Sequence, residues 1–154
     1  MQILTVNSGS SSVRLAVLRL SGSGDLGLLA ATHQEDAKED PEDLLGRLNR
    51  DSDLAGVTAI AHRVVHGGAA LVAPRLINEA VEEEIARLEP LAPLHNKKAL
   101  DWIRLCRARF GRDMPQVAVF DTAFYADLPE VARCYALPRA VSEKYHLRRY
   151  GFHG

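Results

Sequence analysis

Cysteine is scarce in this chain: Cys106 and Cys134 are the only two among 154 residues. They lie far apart and in no metal-binding spacing, so each is expected to be a buried, reduced thiol and a cytoplasmic location is the simplest reading. No apolar run approaches the ~18 residues needed to span a bilayer. The opening residues Met1 to Asn7 lack a basic start and a cleavable apolar stretch, so no signal peptide is expected. Neither sign of charge prevails, with 19 basic and 20 acidic side chains and a net charge of -1. A general electrostatic pull toward nucleic acid or an anionic membrane is therefore excluded, and neither is expected as a partner. Any anionic ligand must be held locally, by a few placed cations and backbone amides. Internal repeats and low-complexity tracts are also missing.

What is present is an ordinary soluble balance, 47% hydrophobic and 25% charged residues, in a chain long enough for one domain with a real core. Gln2 to Val6 reads as a buried strand and Val13 to Leu20 as a second, joined by the polar turn Asn7-Ser8-Gly9-Ser10-Ser11-Ser12 into a hairpin. Leu28 to Thr32 is a candidate third strand. Asp40-Pro41-Glu42-Asp43 combines an N-cap acid, a proline at the first helical position and acids in the first turn, with Leu44, Leu45 and Leu48 forming an apolar face behind it. Val57 to Val65 returns to strand character and runs into Gly67-Gly68. Helices are expected over Asn78 to Leu88, stopped by Pro90, and over Lys97 to Phe110, stopped by Gly111. Gln116 to Phe120 is a short apolar strand, and Leu147 onward reads as a strand running into a loop. Strands first, then strands alternating with helices, favour an α/β layered domain.

Three segments carry candidate chemistry, each with an ordinary alternative. The Asn7 to Ser12 loop exposes amides and hydroxyls that can wrap a phosphate without a helix dipole. It is not a Walker A loop, since the glycine-lysine pattern is absent and a strand follows it; a plain hairpin turn is the alternative. Arg63, flanked by apolar residues at a strand end, needs a carboxylate or phosphate for its fork, or an internal salt bridge. Asp121 follows a buried strand, where α/β folds commonly place catalytic groups, though a helix N-cap fits as well. Glycines on both sides of Phe152-His153 suggest a constrained loop with an exposed imidazole. His62, His66 and His146 read as structural, and no cluster of histidine and cysteine supports zinc.

Taken in order, five blocks resemble the acetate kinase family. They are Ile3 to Arg14, His62-Arg63-Val64-Val65-His66-Gly67-Gly68, Leu91-Ala92-Pro93-Leu94-His95-Asn96, Val117 to Phe124, and Arg148-Arg149-Tyr150-Gly151-Phe152-His153-Gly154. The resemblance covers essentially all of the chain. It implies the ribonuclease H-like, actin-like ATPase fold shared by acetate and sugar kinases, Hsp70 and actin, with a mixed sheet flanked by helices. It also implies transfer of the γ-phosphoryl group of ATP to acetate, with Mg²⁺ or Mn²⁺ as cofactor, in a homodimer. In that family the residue matching Arg63 holds the substrate carboxylate, the one matching Asp121 is the catalytic acidic residue close to substrate and metal, and the one matching His153 stabilises the transition state. Those matching Ser10, Ser12 and Arg14 lie against the nucleotide phosphates, and the one matching Asn7 helps bind the metal. His95 matches a residue lining the cleft, and Val65 and Phe152 match the small apolar pocket for the acetate methyl.

The physics of the reaction agrees. A carboxylate and a triphosphate are both anions, so a cationic fork on one and a metal on the other offset their repulsion. In-line transfer then depends on positioning more than on covalent chemistry. Three local departures stand out: Arg14 where the family usually has lysine, Tyr125 where it usually has histidine, and Lys97-Lys98 where it usually has Pro-Ala. Members of the family are more than twice this length, and their glycine-rich adenosine site, a further catalytic arginine and a metal-binding glutamate lie beyond Gly154. Residues 1–154 are accordingly expected to be a truncated N-terminal domain whose C-terminal nucleotide-binding domain is absent. Two alternatives remain open: a kinase of propionate or butyrate, and a non-catalytic chain that only binds a small carboxylate or phosphate.

Overall fold

The structure, a computed structural model, describes residues 1–35 and 40–151. Its centre is a six-stranded sheet of order β3-β2-β1-β4-β6-β5, formed by Gln2–Ser8 (β1), Ser12–Leu20 (β2), Leu26–Glu35 (β3), Ala59–Val64 (β4), Arg75–Leu76 (β5) and Gln116–Phe120 (β6). The first three strands form an antiparallel meander, with Asn7 opposite Arg14 and Arg14 opposite His33. The middle of the sheet is parallel: β1 runs beside β4, and β4 beside β6. Parallel neighbours bring their C-terminal ends to one edge, so the residues leaving β1, β4 and β6 emerge side by side.

The helices form where their end signals stand. Asp40 accepts a hydrogen bond from the Glu42 amide at 2.9 Å and starts Pro41–Asp51 (α1). Asn78 caps Glu79–Arg87 (α2) through the Val81 amide at 2.9 Å. Asn96–Phe110 (α3) ends at Gly111, and the short Glu130–Arg133 (α4) and Arg139–Lys144 (α5) follow β6.

Because strand side chains alternate, one face of the sheet collects Leu4, Val6, Val13, Leu15, Val17, Ile60, Val64, Ala118 and Phe120. Two core clusters form there: Leu44, Leu45 and Leu48 of α1 with Trp102 and Cys106 of α3 on the hairpin side, and Leu100 and Ile103 of α3 with Ile85 of α2 beneath β4 and β6. The other face carries Thr5, Asn7, Arg14, Ala61, Arg63, Val117 and Val119, all partly or well exposed.

Several expectations are corrected. Leu147 to Tyr150 is not a strand: the Arg149 amide donates to the Arg133 carbonyl, which ties the segment to α4 rather than to a sheet edge. Cys106 is buried as expected, with burial pushing its thiol up to about 12, but Cys134 at the end of α4 is exposed. The third strand extends to Glu35, past the expected Thr32, because β2 pairs with it along its whole length. The fourth begins at Ala59, preceded by a 3-10 turn over Leu54–Gly56. The first two strands, the strand Gln116–Phe120 and the helices expected near Asn78 and Lys97 agree with their expected positions to within a residue or two, while β5, α4 and α5 had no expectation in the sequence.

Candidate active site

Asn7, Arg63 and Asp121 meet where β1, β4 and β6 end. Arg63 Nε donates to both Asp121 oxygens, Oδ1 at 2.9 Å and Oδ2 at 3.0 Å, and Nη2 donates to Oδ2 at 2.7 Å. Nη1 donates to Asn7 Oδ1 at 2.9 Å. Three of the five guanidinium N–H groups are thereby used, leaving two for a ligand. The Arg63 side chain is 37% exposed and the Asp121 side chain 15%, so the pair lies at a surface open to solvent. The hydrogen bonds that Arg63 donates to Asp121 hold its pKa above the ordinary value, against a smaller opposing effect of burial. Of the two readings open for Asp121, the N-cap is not realised: Asp121 is the first residue of a 3-10 turn over Asp121–Tyr125, and its carboxylate turns to Arg63 instead.

The loop after β4 is fixed from two sides. Asn96, fully buried at the start of α3, accepts from the His66 amide at 3.1 Å and donates to the His66 carbonyl at 2.9 Å. Thr122 Oγ1 accepts from the Gly67 amide at 2.9 Å. Gly67 has no room for a side chain, since a Cβ there would collide with the Leu71 carbonyl and the Phe120 ring. Neither Asn96 nor Thr122 was singled out by sequence reasoning. Asn96 could have been found from its place directly after His95; a buried threonine has no such signal.

Val65 and His95 are brought together in a pocket of about 260 Å³, lined also by His66, Leu91, Ala92 and Leu94. His66 behaves structurally, its Nδ1 accepting from the Gly68 amide at 3.0 Å and its ring meeting Tyr150 edge-on at 4.5 Å, and burial lowers its pKa. His62 lies on the closed face. The Gln116 amide nitrogen donates to His62 Nε2 at 2.7 Å and to the Ile103 carbonyl at 3.3 Å, while its oxygen accepts from the Arg107 amide at 3.3 Å. Burial lowers the His62 pKa to about 4, so the ring is neutral near pH 7.

The Asn7 to Ser12 loop closes with the Gly9 amide donating to the Ser12 carbonyl at 2.7 Å. Beside it Ser11, Ser12, Arg14, His33 and Glu35 line an open pocket of about 400 Å³. Ser10 is exposed at the tip of the same loop. Arg14 and Asn7 are register partners on one face, so the loop pocket and the Arg63 fork share that face. Phe152 and His153 lie outside the described residues. The last described residue, Gly151, sits at φ 83 with the Tyr125 ring against it, a Cβ there falling 2.6 Å from Tyr125 Cγ. Among the described residues no group of three or more histidine, cysteine, aspartate or glutamate side chains could hold a metal ion by itself. No described helix is long and apolar enough to cross a membrane.

Known proteins resemble this chain in sequence and in fold. A family model described as the Acetokinase family matches residues 25–154. An acetate kinase of Streptomyces coelicolor is 41% identical over 180 aligned positions, covering 99% of this chain and 44% of that protein. Among solved structures, a propionate kinase from Francisella tularensis superposes with a TM-score of 0.79 at 32% identity, covering 99% of this chain and 45% of that one. The Porphyromonas gingivalis acetate kinase gives a TM-score of 0.78 at 31% identity, covering the same shares. The chain thus spans somewhat less than half the length of the relatives it matches, and its sheet with flanking helices is the actin-like ATPase fold of those kinases.

Proposed function

Because the chain belongs to the acetokinase family, we propose that its protein transfers the γ-phosphoryl group of ATP to acetate, reversibly, giving acetyl phosphate and ADP. Residues 1–154 supply the carboxylate-binding part, and the nucleotide-binding domain belongs to the remainder of the protein. The observation that carries this reading is the Arg63 fork, oriented by Asp121 and Asn7 with two N–H groups to spare.

In this reading Arg63 takes the acetate carboxylate on its remaining donors, which reduces the repulsion between that anion and the approaching triphosphate. Asp121 keeps the guanidinium in place and stands as the catalytic acidic residue, a carboxylate beside the reacting groups. The amides and hydroxyls of Ser10 and Ser12, with Arg14, receive the nucleotide phosphates. Val65 and His95 border the pocket for the methyl group; the roles of Phe152 in substrate binding and of His153 in stabilising the transition state are carried over from the family resemblance. Mg²⁺ suits the oxygen donors Asn7 and Asp121, which are too few to hold it without the phosphates that would deliver it. Bound there, it would neutralise phosphate charge. A cytoplasmic location and a homodimer of the whole protein belong to the same proposal.

A three-carbon acid is a second reading, favoured by the likeness to the propionate kinase structure. Discrimination by one methylene amounts to about 1–3 kcal/mol, so pocket volume beside Val65 and His95 decides it.

The test is acyl phosphate formation from MgATP and acetate, trapped with hydroxylamine, using this chain and the full-length gene product. Hydroxamate from the full-length protein alone is the expected result. No hydroxamate from either, with acetate or propionate, overturns the proposal.

A further inference from the structure

The Asn7 to Ser12 loop has a neighbour outside its own hairpin. Lys98, in the first turn of α3, extends along the helix-covered side of the sheet to the loop, 88 residues away in sequence. Its Nζ donates to the Ser10 carbonyl at 2.5 Å and stands 3.5 Å from the Gly9 carbonyl. We propose that Lys98 is a positioning residue for nucleotide binding, fixing the direction in which the loop presents its amides to phosphate. This rests on the phosphotransferase reading above and assigns that site a residue beyond Ser10, Ser12 and Arg14.

The geometry follows from the planar trans peptide, in which C=O and N–H point in opposite directions. A Ser10 carbonyl directed at Lys98 sends the Ser11 N–H the other way, and a Gly9 carbonyl leaning toward the same ammonium does so for the Ser10 N–H. Lys98 approaches from the side where α3 packs. The two amides therefore turn to the opposite side, where Asn7, Arg14 and Arg63 stand. Among the described residues neither the Ser10 nor the Ser11 amide donates a backbone hydrogen bond. Successive amides aimed at one point form an anion-binding concavity. The ammonium also polarises the peptide groups it binds, strengthening the N–H donors on their far side.

A loop of glycine and serines has little side-chain packing to hold its peptide planes. It has one internal bond, from the Gly9 amide to the Ser12 carbonyl, and that bond fixes the ends rather than the tip. Without Lys98 the tip peptides are free to rotate, and the donors must be ordered when phosphate arrives. That ordering cost appears as weaker nucleotide binding and leaves the carboxylate site at Arg63 untouched.

The experiment measures MgATP and acetate affinity separately, by calorimetry, on the full-length protein as wild type, Lys98→Met and Lys98→Arg, with thermal unfolding of each. Lys98→Met is expected to weaken MgATP about tenfold, as loss of a charge-assisted hydrogen bond does, with acetate affinity within about twofold. Lys98→Arg, which keeps a cationic donor, is expected to recover most of the loss. Unchanged MgATP affinity in Lys98→Met overturns the proposal. So does equal weakening of both ligands with a lowered unfolding temperature, which marks a general defect in folding. A wild type that binds MgATP normally but forms no acyl phosphate would count against the phosphotransferase reading alone.

Discussion

His62 and Arg63 are consecutive residues of β4, yet they lie in opposite environments. His62 points into the helix-covered face, 1% exposed, where burial lowers its pKa to about 4. Arg63 points to the open face, where a carboxylate and an amide oxygen hold its charge and leave room for a ligand. The same division runs along β1, where Leu4 and Val6 are buried and Thr5 and Asn7 are not, and along β6. A strand with period two can thus spend alternate residues on stability and on chemistry. Substitutions on one face should leave the property of the other largely intact.

The sharpest test of that separation is Arg63→Ala in the full-length protein. It is expected to cut acyl phosphate formation by about a hundredfold to a thousandfold, while circular dichroism and the unfolding midpoint change little. Collapse of the fold would show that the open face is structural after all. The counterpart on the closed face is Leu100→Ala, which should lower unfolding free energy by about 2–5 kcal/mol in denaturant titration and leave kcat nearly unchanged at temperatures where the variant is folded. A loss under about 1 kcal/mol would contradict the packing described for α3.

The smallest effect is the pH dependence of His62. Its folded pKa of about 4 lies below the ordinary 6.5, so the unfolded chain takes up a proton that the folded chain refuses. Stability is full above pH 6.5 and falls as pH drops from there toward 4, by about 3 kcal/mol at most. Denaturant midpoints measured between pH 7 and 4 should show this slope, and His62→Gln should flatten it. An unchanged slope in His62→Gln would assign the acid sensitivity to other groups.

Local signals were legible in the sequence, and partnerships were not. Asp40-Pro41 marks α1 within its own four residues, and Asn78 and Gly111 mark helix ends in the same way. The two-residue strand Arg75–Leu76 has no such mark, since it exists only by pairing with Val117 and Ala118. Arg63 was recognisable as a residue needing a partner, with a salt bridge weighed, and Asp121 as a catalytic position at a strand end or an N-cap. That each answers the other across 58 residues follows from the β4–β6 register, which no local pattern records. Cys134 was expected to be buried because cysteine usually is, but α4 has no buried residue and offers it no cover. Lys98 was visible as a departure from a family pattern; its contact with the loop required the packing of α3.

The parallel centre of the sheet has a consequence for how the chain acquires its site. Asn7 and Arg63 are 56 residues apart, and Arg63 and Asp121 58. The β1–β2 hairpin can close early because its ends are near in sequence, but the parallel pairings require two long loops to close first. The Asn7–Arg63–Asp121 cluster therefore requires both parallel pairings and cannot form from the hairpin alone. A species that lacks the β4–β6 pairing cannot hold the Arg63–Asp121 pair. A ligand that required the assembled Asn7–Arg63–Asp121 cluster would by linkage stabilise only the fully paired sheet.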